Sequence, residues 1–446
     1  MREVDIIPIP DTQKVLIYRR RGGLAFVGNR ALANLALRLA ENAFLPDGAP
    51  PEAAAFLRAV GFFDPLPPPP TAELAVFQPT TAVLLLTNQC QLRCTYCYAA
   101  AGEAAPLTLS FELGAAAIDY VCRQAQDMGH GTFSVSFHGG GEPTAAWTTL
   151  RRCAEYARQK PLRAHISLTS NGVWSPAQIR WILANLNSVS LSMDGSPPTQ
   201  DRQRPLVSGR ASSPFVLRTI RELDAHSFPY GIRMTATAPW DSVPDDVRFI
   251  CEQTGCKSVQ VEPAFNTKRG GHNQPDENEA RAFAGAFLEA ADIADAAGVR
   301  LYYSGARPGG LSVTFCSAPY QALIVNGGGQ LVTCYEVASD AHTLARLSVI
   351  GQIENGVVKL DAAARRRLHA LMKQRRQTCE DCFCYWSCAG DCYTRAFGGG
   401  PDGHLVHSRR CDMNRAITRD LLLRQIARNG GVWRASFRAA PGLEEH

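Results

Sequence analysis

The chain has 446 residues, 46% hydrophobic and 20% charged, with 46 basic and 41 acidic side chains and a formal net charge of +5. That length exceeds what one small core organises, so two or three domains are expected. The near-even charge excludes bulk nucleic-acid binding, which needs a concentrated basic face, and no apolar run approaches the roughly 20 residues of a membrane helix.

Residues 1–70 read as a small α+β unit. Met1 to Asp5 has no basic-then-apolar signal region, so the expected compartment is the cytoplasm. Under its reducing conditions the 15 cysteines read as metal ligands or free thiols, not disulfides. Asp5 to Ile9, Lys14 to Tyr18 and Leu24 to Val27 have the composition of short strands between turn residues. Asn29 is placed to cap a helix whose apolar face is Leu32, Leu35 and Leu39, and a second helix is predicted over Glu52 to Val60. The only basic clusters, Arg19 to Arg21 and Arg365 to Arg367, read as solvated faces. Pro67 to Pro70 can join neither a helix nor a central strand and reads as a stiff linker closing the first domain.

Over residues 80–298 short β-rich runs alternate with helical stretches. Strands are predicted at Ala82 to Leu86, Phe133 to Phe137, His165 to Thr169, Val189 to Met193, Tyr230 to Thr237 and Val259 to Glu262. Helices are predicted at Glu112 to Gln126, Trp147 to Gln159, Pro214 to Leu223 and Asp245 to Glu252. Six strands alternating with helices predict an α/β fold, a partial (β/α)6 TIM-like barrel with functional residues at the C-terminal strand ends. A long helix over Asp276 to Ala297 ends this region. Residues 299–415 are loop-rich and Gly-rich and hold eight of the cysteines, which suggests a fold held partly by metal. Residues 416–446 are predicted as a C-terminal helix and tail.

The first barrel strand leads into Cys90, Cys94 and Cys97, a spacing that wraps three corners of a [4Fe–4S] cube and leaves one iron open. Structural zinc would require a fourth Cys or His nearby, and the loop has none. This loop, with aromatic Tyr96 before Cys97, resembles the CxxxCxφC signature of the radical S-adenosylmethionine (SAM) superfamily. Gly139-Gly140-Gly141-Glu142-Pro143, at the next strand end, resembles the family's GGEP segment, in which glycines let backbone approach SAM. Ser170 and Asn171, and Ser192 and Asp194, resemble segments facing SAM at later strand ends. Arg233 reads either as partner of the SAM carboxylate or as an ordinary strand residue.

Farther on, Cys316, Cys334, Cys379, Cys382, Cys388, Cys392 and Cys411, with Gly329, resemble the SPASM domain of peptide and protein maturases. That resemblance implies one auxiliary cluster on Cys316, Cys334 and Cys392 and another on Cys379, Cys382, Cys388 and Cys411. Three [4Fe–4S] clusters follow, one binding SAM and two auxiliary. Two fully thiolate-ligated auxiliary clusters need eight cysteines and the motif supplies seven, leaving either an open iron or a ligand from elsewhere, with Cys384 the nearest spare thiol. Cys122, Cys153, Cys251 and Cys256 read as buried apolar residues.

The resemblance implies reductive SAM cleavage to a 5′-deoxyadenosyl radical and oxidative modification of a ribosomal precursor peptide through thioether, C–C or C–O crosslinks. The expected partners are a precursor peptide with a leader segment and an external electron donor of flavodoxin or ferredoxin type, with neither membrane nor nucleic acid. The N-terminal unit is similar to leader-recognition domains, which bind a leader as an added strand; a structural cap is the alternative. Formylglycine formation by a sulfatase-maturase-like enzyme is the main competing activity. That family places an Asp just after the residue equivalent to Cys334, where this chain has Tyr335-Glu336. A radical SAM enzyme of nucleic acid or a small molecule, and a zinc-binding module, are further alternatives. No general base is identifiable by spacing.

Overall fold

The structure is a computed structural model describing residues 3–42, 49–70, 77–265, 268–270, 274–339, 342–396 and 409–435. The predicted linker, Pro67 to Pro70, lies within these residues and belongs to neither helix nor strand, whereas residues 436–446 of the predicted tail lie outside them.

The N-terminal strands β1 (Asp5–Pro8), β2 (Val15–Arg19) and β3 (Leu24–Gly28) form an antiparallel meander. Asn29 accepts the Leu32 N–H at 2.9 Å and opens the helix Arg30–Asn42, as its spacing predicts. Leu35, Ala36 and Leu39 of that helix pack with Leu57 of the helix Pro51–Ala59 in a core separate from the main one.

The main sheet begins with six parallel strands in sequential order: β4 (Thr81–Leu85), β5 (Thr132–His138), β6 (Arg163–Ser170), β7 (Ser188–Ser192), β8 (Tyr230–Ala236) and β9 (Ser258–Pro263). β10 (Arg300–Tyr302) adds beside β9 in parallel. On the other edge β11 (Ala322–Val325) pairs in parallel with β4. The antiparallel β12 (Gln330–Val332), β13 (Val349–Glu354) and β14 (Val357–Leu360) follow. The result is an α/β fold around a central, mostly parallel sheet of eleven strands, and the six predicted strands are all present. The four strands β11 to β14 were not anticipated in a region expected to be loop-rich.

Alternation along the strands sorts the residues. Phe133, Val135 and Phe137 of β5, Val189 and Leu191 of β7, and Ile232 and Met234 of β8 belong to the apolar core. Ser134, Ser136 and His138, Ser190 and Ser192, and Arg233 and Thr235 alternate with them and are only half-buried. The strands therefore turn an apolar face to the helices and a polar face to the inside of the curve. That inner face is suited to binding, not packing.

Two features tie the helix Arg409–Arg428 and the strand after it to the rest of the fold. The helix Arg409–Arg428 packs along Glu277–Ala296, where Arg424 pairs with Asp292 at 2.9 Å and Arg428 with Asp295 at 2.9 Å. β15 (Val432–Arg434) then pairs antiparallel with β3, giving the first sheet the order β1-β2-β3-β15. Trp433 seals this junction against Ile7, Leu16, Tyr18, Leu422 and Ile426.

Candidate functional site

The loop after β4 is gripped from two sides. The Arg93 N–H donates to Pro205 O at 2.8 Å and the Thr95 N–H to Gln203 O at 2.9 Å. From the opposite side Arg269 donates to Cys94 O at 2.6 Å and Ala101 O at 2.8 Å, and the Gly270 N–H to Cys97 O at 2.8 Å. Arg93 folds back onto the carbonyls of Cys90 and Leu92 at 2.8 and 2.9 Å. The carbonyls are thus tied down while the thiols of Cys90, Cys94 and Cys97 stay half-buried and within electrostatic reach of one another. Burial pushes the Cys90 thiol up to about 12 and the Cys94 thiol up to about 11.

Behind the loop sits a buried ion pair. Asp194 is fully buried, and its carboxylate accepts the Thr235 N–H at 2.9 Å and the Tyr96 hydroxyl at 2.5 Å. Arg204 Nε lies 2.9 Å from the same carboxylate. Although burial alone would lower it, Asp194 holds the Arg204 guanidinium well above its ordinary range.

The glycine segment runs against the cysteine loop. The Gly141 N–H donates to Thr87 O at 2.7 Å and the Glu142 N–H to Gln89 O at 2.8 Å. A Cβ on Gly141 would lie 2.2 Å from Gln89 O, and one on Gly140 2.5 Å from Ala338 Cβ. These glycines therefore permit close approach to two other parts of the protein. Glu142, buried, accepts the Thr144 N–H and hydroxyl, the Ser170 hydroxyl at 2.7 Å and the Asn171 N–H at 2.9 Å. Its carboxylate binds β5 to β6, while Pro143 opens the short turn Pro143–Ala146. The Asn171 amide reaches Cys90 Sγ at 3.7 Å.

Inside the curve Ser192 and Arg233 are register partners on β7 and β8. Arg233 is half-buried and makes no hydrogen bond or ion pair among the described residues. Its charge is felt by His138, Tyr98, Tyr302, Tyr335 and Cys316. His138 Nδ1 accepts the Gly139 N–H at 3.0 Å, and the ring lies 4.7 Å from that of Tyr335. Burial, then Arg233, pulls the imidazole down to about 4, so it is neutral.

The later thiols fall into two sets. Cys334 lies within electrostatic reach of Cys316 and Cys392; Cys379 of Cys382 and Cys411; and Cys388 of Cys411. Between Cys388 and Cys392 the backbone is left-handed at Ala389, Gly390 and Asp391, with φ of 53°, 92° and 66°. This tight turn sends the two flanking thiols to different sets, and Asp391 anchors it through a buried pair with Arg410 at 3.0 Å. Arg375 reaches Cys411 Sγ and Asn414 reaches Cys388 Sγ, each at 3.4 Å. Cys384 is buried beside Cys382 and Cys388, in the second set. It holds its proton through burial, and its hydrogen bond draws the Cys382 thiol down. Among the described residues no group of three or more His, Cys, Asp or Glu is arranged to hold a metal ion. The donor sets nevertheless fit iron–sulfur ligation, because soft sulfurs lie within electrostatic reach of one another.

The basic cluster read as solvated is engaged. Arg20 is buried, pairs with Asp5 at 2.8 Å and donates to Cys382 O at 2.7 Å, so the N-terminal unit touches the second thiol set. Arg19 donates to Asp64 O and Arg21 pairs with Glu3. Arg366 and Arg367 are exposed, as expected, whereas Arg365 is half-buried, its guanidinium 4.3 Å from the centre of the Phe77 ring. Arg204, Arg269, Tyr98 and Arg20 carry no local motif, and only their distant partners identify them. Cys122, Cys153 and Cys256 are buried, and Cys251 is half-buried.

Residues 84–249 match the family model described as the radical SAM superfamily. The sporulation killing factor maturation protein SkfB of Bacillus subtilis (strain 168) is 27% identical over 187 residues, 41% of this chain and 41% of that protein. The Fe-coproporphyrin III synthase of Methanosarcina barkeri (strain Fusaro / DSM 804) is 31% identical over 153 residues, 34% of this chain and 35% of that protein. The matches thus span less than half the length of either relative. Among solved structures, native anSMEcpe with bound AdoMet superposes with a TM-score of 0.63 at 18% identity, covering 78% of this chain and 99% of that one. Streptococcus suis SuiB bound to precursor peptide SuiA superposes with a TM-score of 0.52 at 14% identity, covering 91% and 99%. These likenesses bear on the fold.

Proposed function

We propose that this chain, which carries a radical SAM domain over residues 84–249, is a peptide maturase that oxidatively crosslinks a ribosomal precursor. The observation that carries the reading is the proximity of two thiol sets, since Tyr98 lies within electrostatic reach of both Cys97 and Cys334, and of Arg233. When bound, a [4Fe–4S] cluster on Cys90, Cys94 and Cys97 supplies the electron that cleaves SAM to methionine and a 5′-deoxyadenosyl radical, and auxiliary clusters supply an acceptor for a second electron.

The chain's own residues hold and orient. The Arg233 guanidinium, without a hydrogen-bond or ion-pair partner among the described residues, suits the methionine carboxylate of SAM, and Gly139 to Gly141, Ser170, Asn171 and Ser192 line neighbouring strand ends. Tyr96, Glu142 and Asp194 act as supports for this wall, their polar groups already taken by Arg204, Thr235, Ser170 and Asn171. Cys316, Cys334 and Cys392 hold one auxiliary cluster, and Cys379, Cys382, Cys388 and Cys411 the other. The proximity of Cys384 to Cys382 and Cys388 supports an open iron in the first auxiliary cluster over a ligand from Cys384.

The peptide substrate is supported by SkfB, named for maturation of a killing factor, and by the SuiB structure, which contains a precursor peptide. A leader adds to the open edge of β1, the outer strand of the N-terminal sheet. The electron donor is a flavodoxin or ferredoxin, and the compartment is the cytoplasm. Formylglycine formation is the second reading, favoured by the fold likeness to anSMEcpe and weakened by Tyr335-Glu336 after Cys334.

The test is incubation of the anaerobically reconstituted protein with SAM, a reductant and a candidate precursor peptide. Release of 5′-deoxyadenosine together with a peptide lighter by a hydrogen pair, with a crosslinked fragmentation pattern, is expected. An unchanged or reduced peptide contradicts net oxidation, and a formylglycine residue selects the second reading.

A further inference from the structure

The grip on the cysteine loop is centred on Cys94. Gln203 O takes the Thr95 N–H and Pro205 O takes the Arg93 N–H, so the residue between them, Arg204, faces Cys94. Its Nη1 lies 3.9 Å from Cys94 Sγ. Its guanidinium also stands 5.2 Å from the centre of the Tyr96 ring. Asp194, fully buried, fixes the other side of Arg204 at 2.9 Å, and Asp194 itself is fixed by Tyr96 and the Thr235 N–H. A buried ion pair is a costly element to keep without a further role, because apolar residues of the same volume serve stability as well or better. Here the pair presents its positive end to one thiol of three. Cys90 has instead the neutral Asn171 amide at 3.7 Å.

We propose that Arg204 is a positioning residue that donates to the Cys94 thiolate and raises the reduction potential of the cluster held by Cys90, Cys94 and Cys97. The inference rests on the reading of those thiols as cluster ligands. A donor on a ligating sulfur withdraws electron density, and a nearby cation stabilises the more negative, reduced form; both act through groups around the first ligands. Arg204 is distant from Cys94 in sequence and belongs to no motif, so its role depends on the chain turning back after the helix Pro197–Gln203.

The test is potentiometry followed by electron paramagnetic resonance on the reconstituted full chain. It uses the reduced-cluster signal that is lost in a Cys90/Cys94/Cys97→Ala variant. Arg204→Gln is expected to shift the midpoint of that signal to lower potential, and Arg204→Lys to shift it less. If Arg204→Gln alone does not fold, the double variant Asp194→Asn/Arg204→Gln leaves no unpaired buried charge and is expected to shift the midpoint in the same direction by less, because Arg204 acts on Cys94 more strongly than Asp194 does. An unchanged midpoint in a variant that keeps the signal overturns the proposal. If the triple Cys→Ala change removes no reduced-cluster signal, the ligand reading itself falls, and the proposal with it.

Discussion

Gly141 and Gly131 differ only in what surrounds them. A Cβ on Gly131 meets nothing within 4 Å, whereas one on Gly141 would lie 2.2 Å from a backbone oxygen that cannot move without the cysteine loop. Gly141→Ala is therefore expected to cost about 1–3 kcal/mol, the usual range for overpacking, and to lower iron retention. Gly131→Ala is expected to change neither, and thermal unfolding with iron analysis of both variants checks this. The glycine run and the cysteine spacing were legible in sequence because each is local. The partners of Asp194 and Glu142 were not, since Thr235 and Ser170 reach them from other strand ends and Arg204 from the end of the helix Pro197–Gln203.

At the scale of elements, the six parallel strands and their helices were legible because alternation and helical spacing repeat over enough residues. β11 and β15 were not: four and three residues are too few to display a period. β15 nevertheless closes the first sheet. Trp433→Ala is expected to destabilise the protein by about 3–5 kcal/mol, the range for truncating a buried aromatic. Denaturant unfolding should report this as a separate early loss of the N-terminal unit. The docking of Arg409–Arg428 on Glu277–Ala296 has a pH signature. The hydrogen bond from Arg424 holds the Asp292 carboxyl below its ordinary range. Its contribution is thus present above the carboxylate pKa of the unfolded chain and is lost as pH falls through the lowered, folded value. Asp292 is largely exposed, so the effect is small and salt-sensitive. The difference in melting temperature between wild type and Asp292→Asn should be measurable near neutral pH and vanish in acid.

Across the whole molecule, both ends of the chain converge on the thiol sets. Arg20 links the first sheet to the Cys382 loop, and the helix carrying Cys411 runs on into β15. Arg20→Ala removes a buried charge partner from Asp5 and the guanidinium's hydrogen bond to Cys382 O. It is expected to cost about 3–5 kcal/mol and to release iron preferentially from the second auxiliary set, as differential scanning calorimetry and iron analysis would show. The attachment of the first sheet to the Cys382 loop was not legible, because Arg20 reads in sequence as one of three solvated arginines. The central claim is that ten cysteines form three cluster sites. Iron and sulfide content with Mössbauer spectra, after anaerobic reconstitution of wild type and a Cys90/Cys94/Cys97→Ala variant, tests it most directly. The account predicts about twelve irons per chain, falling to about eight in the variant. About four irons in wild type, with zinc making up the rest, would contradict the auxiliary clusters and remove the basis for oxidative crosslinking.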